Sequence, residues 1–137
     1  MTRVRGQDTA AKLTTAGWLR LRGVAAMDVC AQWARLQAEG AECPKAEVGA
    51  RLAALGDIHD LRWWDEAAGL PPGDGFVLDL EDRASACGGL LLAPDGDRLT
   101  GWRPERGALT AFREGRMVLS PVVPGAPERR AIVGRLA

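Results

Sequence analysis

The chain has 137 residues, of which 47% are hydrophobic and 26% charged, a composition typical of one globular domain rather than of a disordered segment. Eighteen basic residues balance eighteen acidic ones, nine of each sign on either side of residue 70, so neither half is basic enough to hold a nucleic-acid backbone. The start of the chain lacks the apolar run of a signal peptide, and no segment reaches the ~20 apolar residues of a membrane span. We therefore expect a soluble, cytoplasmic protein with a single domain over residues 1–137.

Two readings compete at the beginning of the chain. Apolar and small residues spaced three and four apart favour a helix over residues 9–21, whereas GWLRLRG (17–23) alternates as a strand does. We favour the helix. In the strand reading, Arg20 and Arg22 would share a face with Trp18.

Three further helices are predicted before residue 70. Residues 24–39 are apolar on most sides and end at Gly40, which predicts a central helix. Pro44 suits the first position of a helix that runs to about residue 55. The spacing of Ile58, Leu61 and Trp64 predicts a last helix over residues 58–69.

Strands and turns follow from residue 75 to residue 137. Strands are predicted at 76–81, 87–93, 98–103, 108–113, 116–122 and 130–137. The Asp-Gly pair in PDGD predicts a hairpin, and Glu114–Gly115 predicts a second one. The apolar run 87–93 is typical of a central strand. The last strand, 130–137, is predicted to lie at an edge of the sheet. The predicted fold is α+β: a three- or four-helix layer (about 9–69) packed on an antiparallel meander of five or six strands (about 75–137).

The residue inventory argues against most catalytic chemistries. The chain has no Asn and no Tyr, one His and two Ser, although these types supply most general acids, bases and nucleophiles. We predict no catalytic residues and no cofactor. An enzyme built on carboxylates stays open.

A zinc site is one hypothesis for Cys30, Cys43, His59 and Cys87, because their side chains suit that metal. No CxxC or HxxxH pair is present to pre-organise two ligands. We predict three reduced thiols and no metal site.

Asp79 and Glu81 are predicted to share one face of the strand 76–81, opposite Phe76, Leu78 and Leu80. Two carboxylates so placed would perturb each other's protonation. Because no base, nucleophile or metal ligand is recognisable nearby, we interpret them as an acidic, solvated strand face.

A helix-turn-helix over residues 45–66 is a second hypothesis. Its second helix would present four acidic residues against the single Arg62, which would repel phosphates. Nucleic acid is therefore an unlikely partner, and a helical hairpin in the core is the better interpretation.

Two tryptophans are candidate protein contacts. Trp63 is predicted on the solvent side of its helix with His59 and Arg62, and Trp102 near a hairpin end with Arg103 and Arg106. Tryptophan and arginine are enriched where interfaces gain most of their binding energy.

The tail FREGRMVLSPVVPGAPERRAIVGRLA resembles the end of the LexA-like self-cleaving repressors, in a strand that runs into L-x-P, a proline-rich loop and an I-x-G-R strand. That family uses a serine and a lysine. Both lysines here lie in the helical half, and neither Ser85 nor Ser120 stands in the family's Gly-Asp-Ser-Met context. The resemblance implies a β-fold without the protease.

The predicted function is that of a small non-catalytic protein that binds another protein, as an adaptor, inhibitor or assembly component. A DNA-binding regulator that uses residues 45–66 is the first alternative. The second is a small-ligand binder or enzyme with a carboxylate and histidine pocket, formed by Asp79, Glu81 or His59, between helices and sheet.

Overall fold

The computed structural model describes residues 16–136 and has, within them, eight strands in two antiparallel sheets and two α-helices. The strands are β1 (Trp18–Leu21), β2 (Ile58–Trp63), β3 (Gly75–Asp79), β4 (Leu91–Asp95), β5 (Arg98–Trp102), β6 (Leu109–Phe112), β7 (Val118–Leu119) and β8 (Ala131–Leu136). The helices are α1 (Met27–Ala38) and α2 (Lys45–Leu52). The prediction of a three- or four-helix layer on one meander is therefore wrong.

The order of the strands within each sheet differs from their order in the sequence. The larger sheet has the order β1-β6-β3-β8-β2, and the smaller one β5-β4-β7. The hairpin of β4 and β5 is confirmed, and so is the central place of β4 in its sheet. The predicted hairpin at Glu114–Gly115 is wrong, because β6 and β7 lie in different sheets. The last strand, β8, lies between β3 and β2 and is not an edge.

The larger sheet separates two apolar clusters, because successive side chains of a strand point to opposite faces. Phe76 and Leu78 of β3 pack with Trp33 of α1 and Val48 of α2. Val77, on the other face, packs with residues of the smaller sheet such as Leu91. One face of the larger sheet thus meets the helices, and the other meets the smaller sheet.

The spacing of apolar residues in the sequence accounts for both helices. The buried residues of α1 are Cys30, Trp33 and Ala34, at the spacing that places side chains on one helix face. Val48 and Leu52 do the same in α2, which ends at Leu52 and continues as a single 3-10 turn. The helix predicted over residues 24–39 is confirmed as α1. The helix predicted from Pro44 to about residue 55 is confirmed as α2, which is shorter.

The helix predicted over residues 58–69 is wrong, and the reason is a β-bulge. The pairing of β2 with β8 shifts between His59 and Arg62, and Asp60 has a φ of 55°. The extra residue lets Ile58, Leu61 and Trp63 all pack towards the helices. The spacing of Ile58 and Leu61 imitates a helical pattern, but Trp64, the third residue of that pattern, packs in the other cluster. With strand β2 in this place, residues 45–66 do not form a helix-turn-helix.

The helix favoured over residues 9–21 is replaced by a strand at its C-terminal end, since β1 pairs with β6 from Trp18 to Leu21. The strand alternative describes this segment correctly: Leu19 is buried on the helix side. Residues 9–15 lie outside the described part of the chain.

No helix within residues 16–136 is long and apolar enough to cross a bilayer.

Candidate functional site

Arg129 is the centre of a buried group of charges between the two sheets. Its Nε and Nη2 donate to the two carboxylate oxygens of Asp79, at 2.8 and 3.0 Å. Its Nη1 donates to the carbonyl oxygen of Gly89 at 2.7 Å and to Oε2 of Glu66 at 2.9 Å. The guanidinium therefore connects three segments that lie 40 to 63 residues before it in the chain.

Glu66 also forms an ion pair with a second arginine, Arg83. Nη1 of Arg83 donates to Oε1 of Glu66 at 2.8 Å, and Nη2 donates to Oε2 at 2.6 Å. Such paired guanidinium–carboxylate contacts are among the stronger hydrogen bonds in proteins. We refer to Glu66, Asp79, Arg83 and Arg129 as the ion-pair cluster. Its two positive and two negative charges cancel.

The folding of each segment explains how these side chains meet. Asp79 ends β3 and, like Val77, points away from the helices. Glu66 lies in a short 3-10 turn after β2, where Asp65 accepts a hydrogen bond from the backbone N–H of Ala67. Arg129 lies two residues before β8, whose pairing with β3 brings it to Asp79.

The cluster changes the protonation equilibria of its members. Burial raises the pKa of Glu66, but hydrogen bonds from Arg83 and Arg129 outweigh burial, so the pKa lies below its ordinary value. Burial lowers the pKa of Arg129, but the carboxylates of Asp79 and Glu66 outweigh it and raise that pKa. Burial raises the pKa of Asp79, and the charge of Arg129 opposes this shift. Arg129 therefore stays charged, and Glu66 is ionised at neutral pH.

A cleft opens beside the cluster. Its volume is about 320 Å³, and the indole of Trp64 lies at its inner side, with the guanidinium of Arg129 4.7 Å from the ring centroid. The indole N–H donates to the carbonyl oxygen of Gly69 at 3.0 Å, which fixes the ring. The lining residues are Trp64, Asp65, Glu66, Ala67, Val122, Ala126, Pro127, Glu128 and Arg129. The cleft thus combines an apolar wall with a charged base and rim.

The predicted acidic strand face does not exist as such. Asp79 is fully buried and paired with Arg129, whereas Glu81 lies beyond the end of β3 and is exposed. A solvated face would have left Asp79 free, but the second sheet covers that side of β3.

The predicted partner-binding residues lie in two separate places: on β2, and on β5 with the loop that follows it. Trp63 of β2 is half-buried, packs towards the helices and donates its indole N–H to the carbonyl oxygen of Ala41 at 2.6 Å. His59 and Arg62, of the same strand, are exposed. Trp63 is therefore on a strand, not on the solvent side of a helix.

Trp102 of β5 packs against Trp18 of β1, with ring centroids 4.7 Å apart and planes at 54°. Arg103 and Arg106 are exposed and border an open hollow with Arg22. Trp63 and Trp102 thus belong to separate surroundings, and the structure does not unite the six residues in one surface.

Sequence reasoning missed Trp64, Glu66, Arg83 and Arg129. The one available signal is Asp79, a charge in the otherwise apolar run FVLDL (76–80). A charge in a strand buried on both faces requires an opposite charge. The identity of that partner, 50 residues away, is not marked by any motif.

Comparison with known proteins places the fold. No family model matches the chain, and no curated protein does. Solved structures match over nearly all of it. A prolyl-4-hydroxylase from Pseudomonas putida is 18% identical and has a TM-score of 0.61, over 96% of this chain and 99% of that one.

Two further structures agree. HygX from Streptomyces hygroscopicus, solved with iron bound, is 13% identical with a TM-score of 0.62, over 98% of this chain and 85% of its own. The non-heme alpha-ketoglutarate-dependent epimerase SnoN from nogalamycin biosynthesis is 16% identical with a TM-score of 0.58, over 93% of this chain and 80% of its own. This chain is similar to them in fold.

The likeness corrects the functional prediction. The hydroxylase and the epimerase are enzymes, so a non-catalytic adaptor, inhibitor or other regulatory protein is contradicted by the fold that this chain shares with them. The second alternative, a small-ligand binder or enzyme with a charged pocket, agrees better with this likeness. Its pocket is lined by the segments after β2 and before β8 rather than lying between helices and sheet.

The donor set does not fit the iron that such a fold implies. Non-heme iron in oxygenases is held by two histidines and one carboxylate, and this chain has one histidine in its whole length. Within residues 16–136 there is no group of three or more His, Cys, Asp or Glu side chains that could hold a metal ion. The buried carboxylates are already paired with arginines.

Proposed function

We propose that this protein binds a small molecule in the cleft beside Trp64 and Arg129, either as a ligand-binding protein or as an enzyme. The observation that supports the proposal is the cleft itself. It is concave, its volume lies at the lower end of the roughly 300–1,000 Å³ of small-molecule sites, and its base holds fixed charges beside an aromatic ring.

The lining favours a compact ligand with an apolar part. Val122, Ala126 and Pro127 line the cleft from the loop before β8, and Ala67 also lines it. Arg129 is already neutralised by its carboxylates, while Asp65 and Glu128 add two negative charges at the rim. A ligand group that meets the rim would therefore be neutral or positively charged.

A pair of neighbouring substitutions tests the site. Ala67 and Ala68 are both exposed in the same 3-10 turn, but only Ala67 lines the cleft. Ala67→Trp should fill the cleft, and Ala68→Trp should leave it open. Each substitution adds the same indole to the same turn, so any difference in binding comes from the cleft.

The readout is the indole N–H signal of Trp64 in a ¹H–¹⁵N spectrum, assigned with Trp64→Phe. The protein is titrated with L-proline, putrescine and a fragment library, and with 2-oxoglutarate, a dianion that the acidic rim should disfavour. We expect at least one compound to shift the Trp64 signal and not that of Trp33, which lies in the other cluster. That shift should vanish in A67W and persist in A68W. If no compound moves the signal, or if A67W binds as the wild type does, the proposal is wrong.

We also propose a cytoplasmic location. The support is that Cys30, Cys43 and Cys87 are all free thiols.

A further inference from the structure

The ion-pair cluster leaves its carboxylates no oxygen without a guanidinium. Each oxygen of Asp79 accepts from Arg129. Oε1 of Glu66 accepts from Arg83, and Oε2 accepts from both arginines. A divalent cation would have to displace at least one arginine to reach either carboxylate.

On the side of Gly89, the space beside the cluster is filled. Gly89 has a φ of 65°, and a Cβ on it would collide with Nη2 of Arg83 and Oε2 of Glu66. The peptide of Gly89 therefore lies directly against the cluster and contributes its carbonyl oxygen to Arg129. The side chains of Arg83 and Arg129 are only 5% and 1% exposed, so displacing either guanidinium would separate a largely buried ion pair.

We infer that Arg83 and Arg129 take the role of a metal ion in this chain: they neutralise the two buried carboxylates and tie the strands and loops of the cleft together. The protein assembles its cleft without a divalent cation, and iron does not enter it. The inference concerns the cluster alone and does not rest on the proposed ligand.

His59, the one histidine, does not alter this conclusion. It lies on β2, seven residues before Glu66, and is exposed to solvent. A surface histidine binds metals weakly without a second ligand fixed beside it. His59 therefore serves as the control for adventitious binding.

Manganese(II) is a suitable probe, because the electron paramagnetic resonance signal of the free ion falls when the ion binds to protein. We expect one equivalent of protein to leave that signal unchanged, and anaerobic titration calorimetry with iron(II) to show no stoichiometric binding. The melting temperature should be the same after dialysis against EDTA as after addition of manganese(II).

If some manganese(II) or iron(II) binds, the variants Glu66→Gln and His59→Ala show whether the ion is held at the cluster or at the surface. Stoichiometric binding that E66Q abolishes would overturn the inference, because the cluster would then be a metal site. Weak binding that E66Q leaves intact and H59A removes would support it, since the ion would be held at the surface. Neither result depends on whether a small molecule enters the cleft, so the two proposals fail separately.

Discussion

Arg129 and Asp79 form a two-point ion pair, at 2.8 and 3.0 Å, in which the side chains are 1% and 0% exposed. Removing one partner of such a pair leaves an uncompensated buried charge, which costs about 3–5 kcal/mol. The free energy of unfolding of a folded domain is about 5–15 kcal/mol, so the loss of one partner would remove a large part of it.

Arg129→Met should therefore lower the free energy of unfolding by about 3–5 kcal/mol in urea titrations. The neighbouring Arg130→Met is the matched control: Arg130 contacts the exposed Glu128 at 3.6 Å, and its loss should cost at most about 1 kcal/mol. The double variant Asp79→Leu with Arg129→Met should be less destabilised than R129M, because it leaves no unpaired charge. Equal losses in R129M and R130M would contradict this account of the cluster.

Acid should weaken the cluster through Glu66. Its pKa in the folded protein lies below its ordinary value of 4.5, because its hydrogen bonds to the two arginines outweigh burial. A lowered carboxyl pKa contributes stability that is complete above the unfolded-state value and is lost as the pH falls through the folded-state value. The gain from Glu66 should thus be complete above about pH 4.5 and decline below it.

The measurement is the difference in unfolding free energy between wild type and Glu66→Gln at a series of pH values. Asp79 is present in both proteins, and Glu66 is the smallest of the causes that shift its pKa, so the titration of Asp79 largely cancels. We expect the difference to shrink below about pH 4.5. Glu128→Gln, a change on an exposed side chain, should show no comparable trend. A difference that stays constant to low pH would mean that Glu66 is not ionised in the cluster.

Two glycines should respond to alanine with opposite signs. A Cβ on Gly134 of β8 would lie 2.7 Å from the ring of Phe76, which is fully buried and has no room to move. Overpacking of this kind costs about 1–3 kcal/mol. A Cβ on Gly49 of α2 would meet only Leu61, at an ordinary 3.9 Å.

Gly134→Ala should therefore lower the melting temperature, whereas Gly49→Ala should raise it, because alanine is about 1 kcal/mol better than glycine inside a helix. Calorimetry on both variants gives the signs directly. An unchanged melting temperature in G134A would show that Phe76 can retreat.

Cys30 should be the slowest thiol to react. It is fully buried, and burial raises the pKa of its thiol, so little thiolate forms at neutral pH. In a Cys43→Ser, Cys87→Ser variant, Ellman's reagent should find no reactive thiol in the native protein and one after unfolding in guanidinium. Rapid labelling of the native variant would mean that α1 detaches readily from the sheet.

Local patterns predicted the individual strands of the second half better than their arrangement. The strand β3 and the Asp-Gly turn before β5 depend on neighbours in sequence, and both are confirmed, although β3 is buried on both faces. The sheet order depends on pairs such as Phe76 with Ala111 and Gly134, which are far apart in the chain. No local pattern specifies them.

The candidate site was harder to predict for the same reason. Glu66 and Arg129 are 63 residues apart, and each stands in a turn or loop where a charged residue is ordinary. The sequence predicts a solvated Asp79, because no local pattern indicates the second sheet that covers this side of β3. The bulge at Asp60 also turned a strand into an apparent helix, which placed Trp63 and Trp64 wrongly.

The tryptophan pair has an optical consequence. Trp18 belongs to the larger sheet and Trp102 to the smaller one, with ring centroids 4.7 Å apart and tilted planes. Two indoles so close and so inclined couple their electronic transitions and give a paired positive and negative band in the far-ultraviolet circular dichroism. The paired band exists only while the two sheets are in contact, so its intensity reports on that contact in the native protein. Trp102→Phe should remove the band.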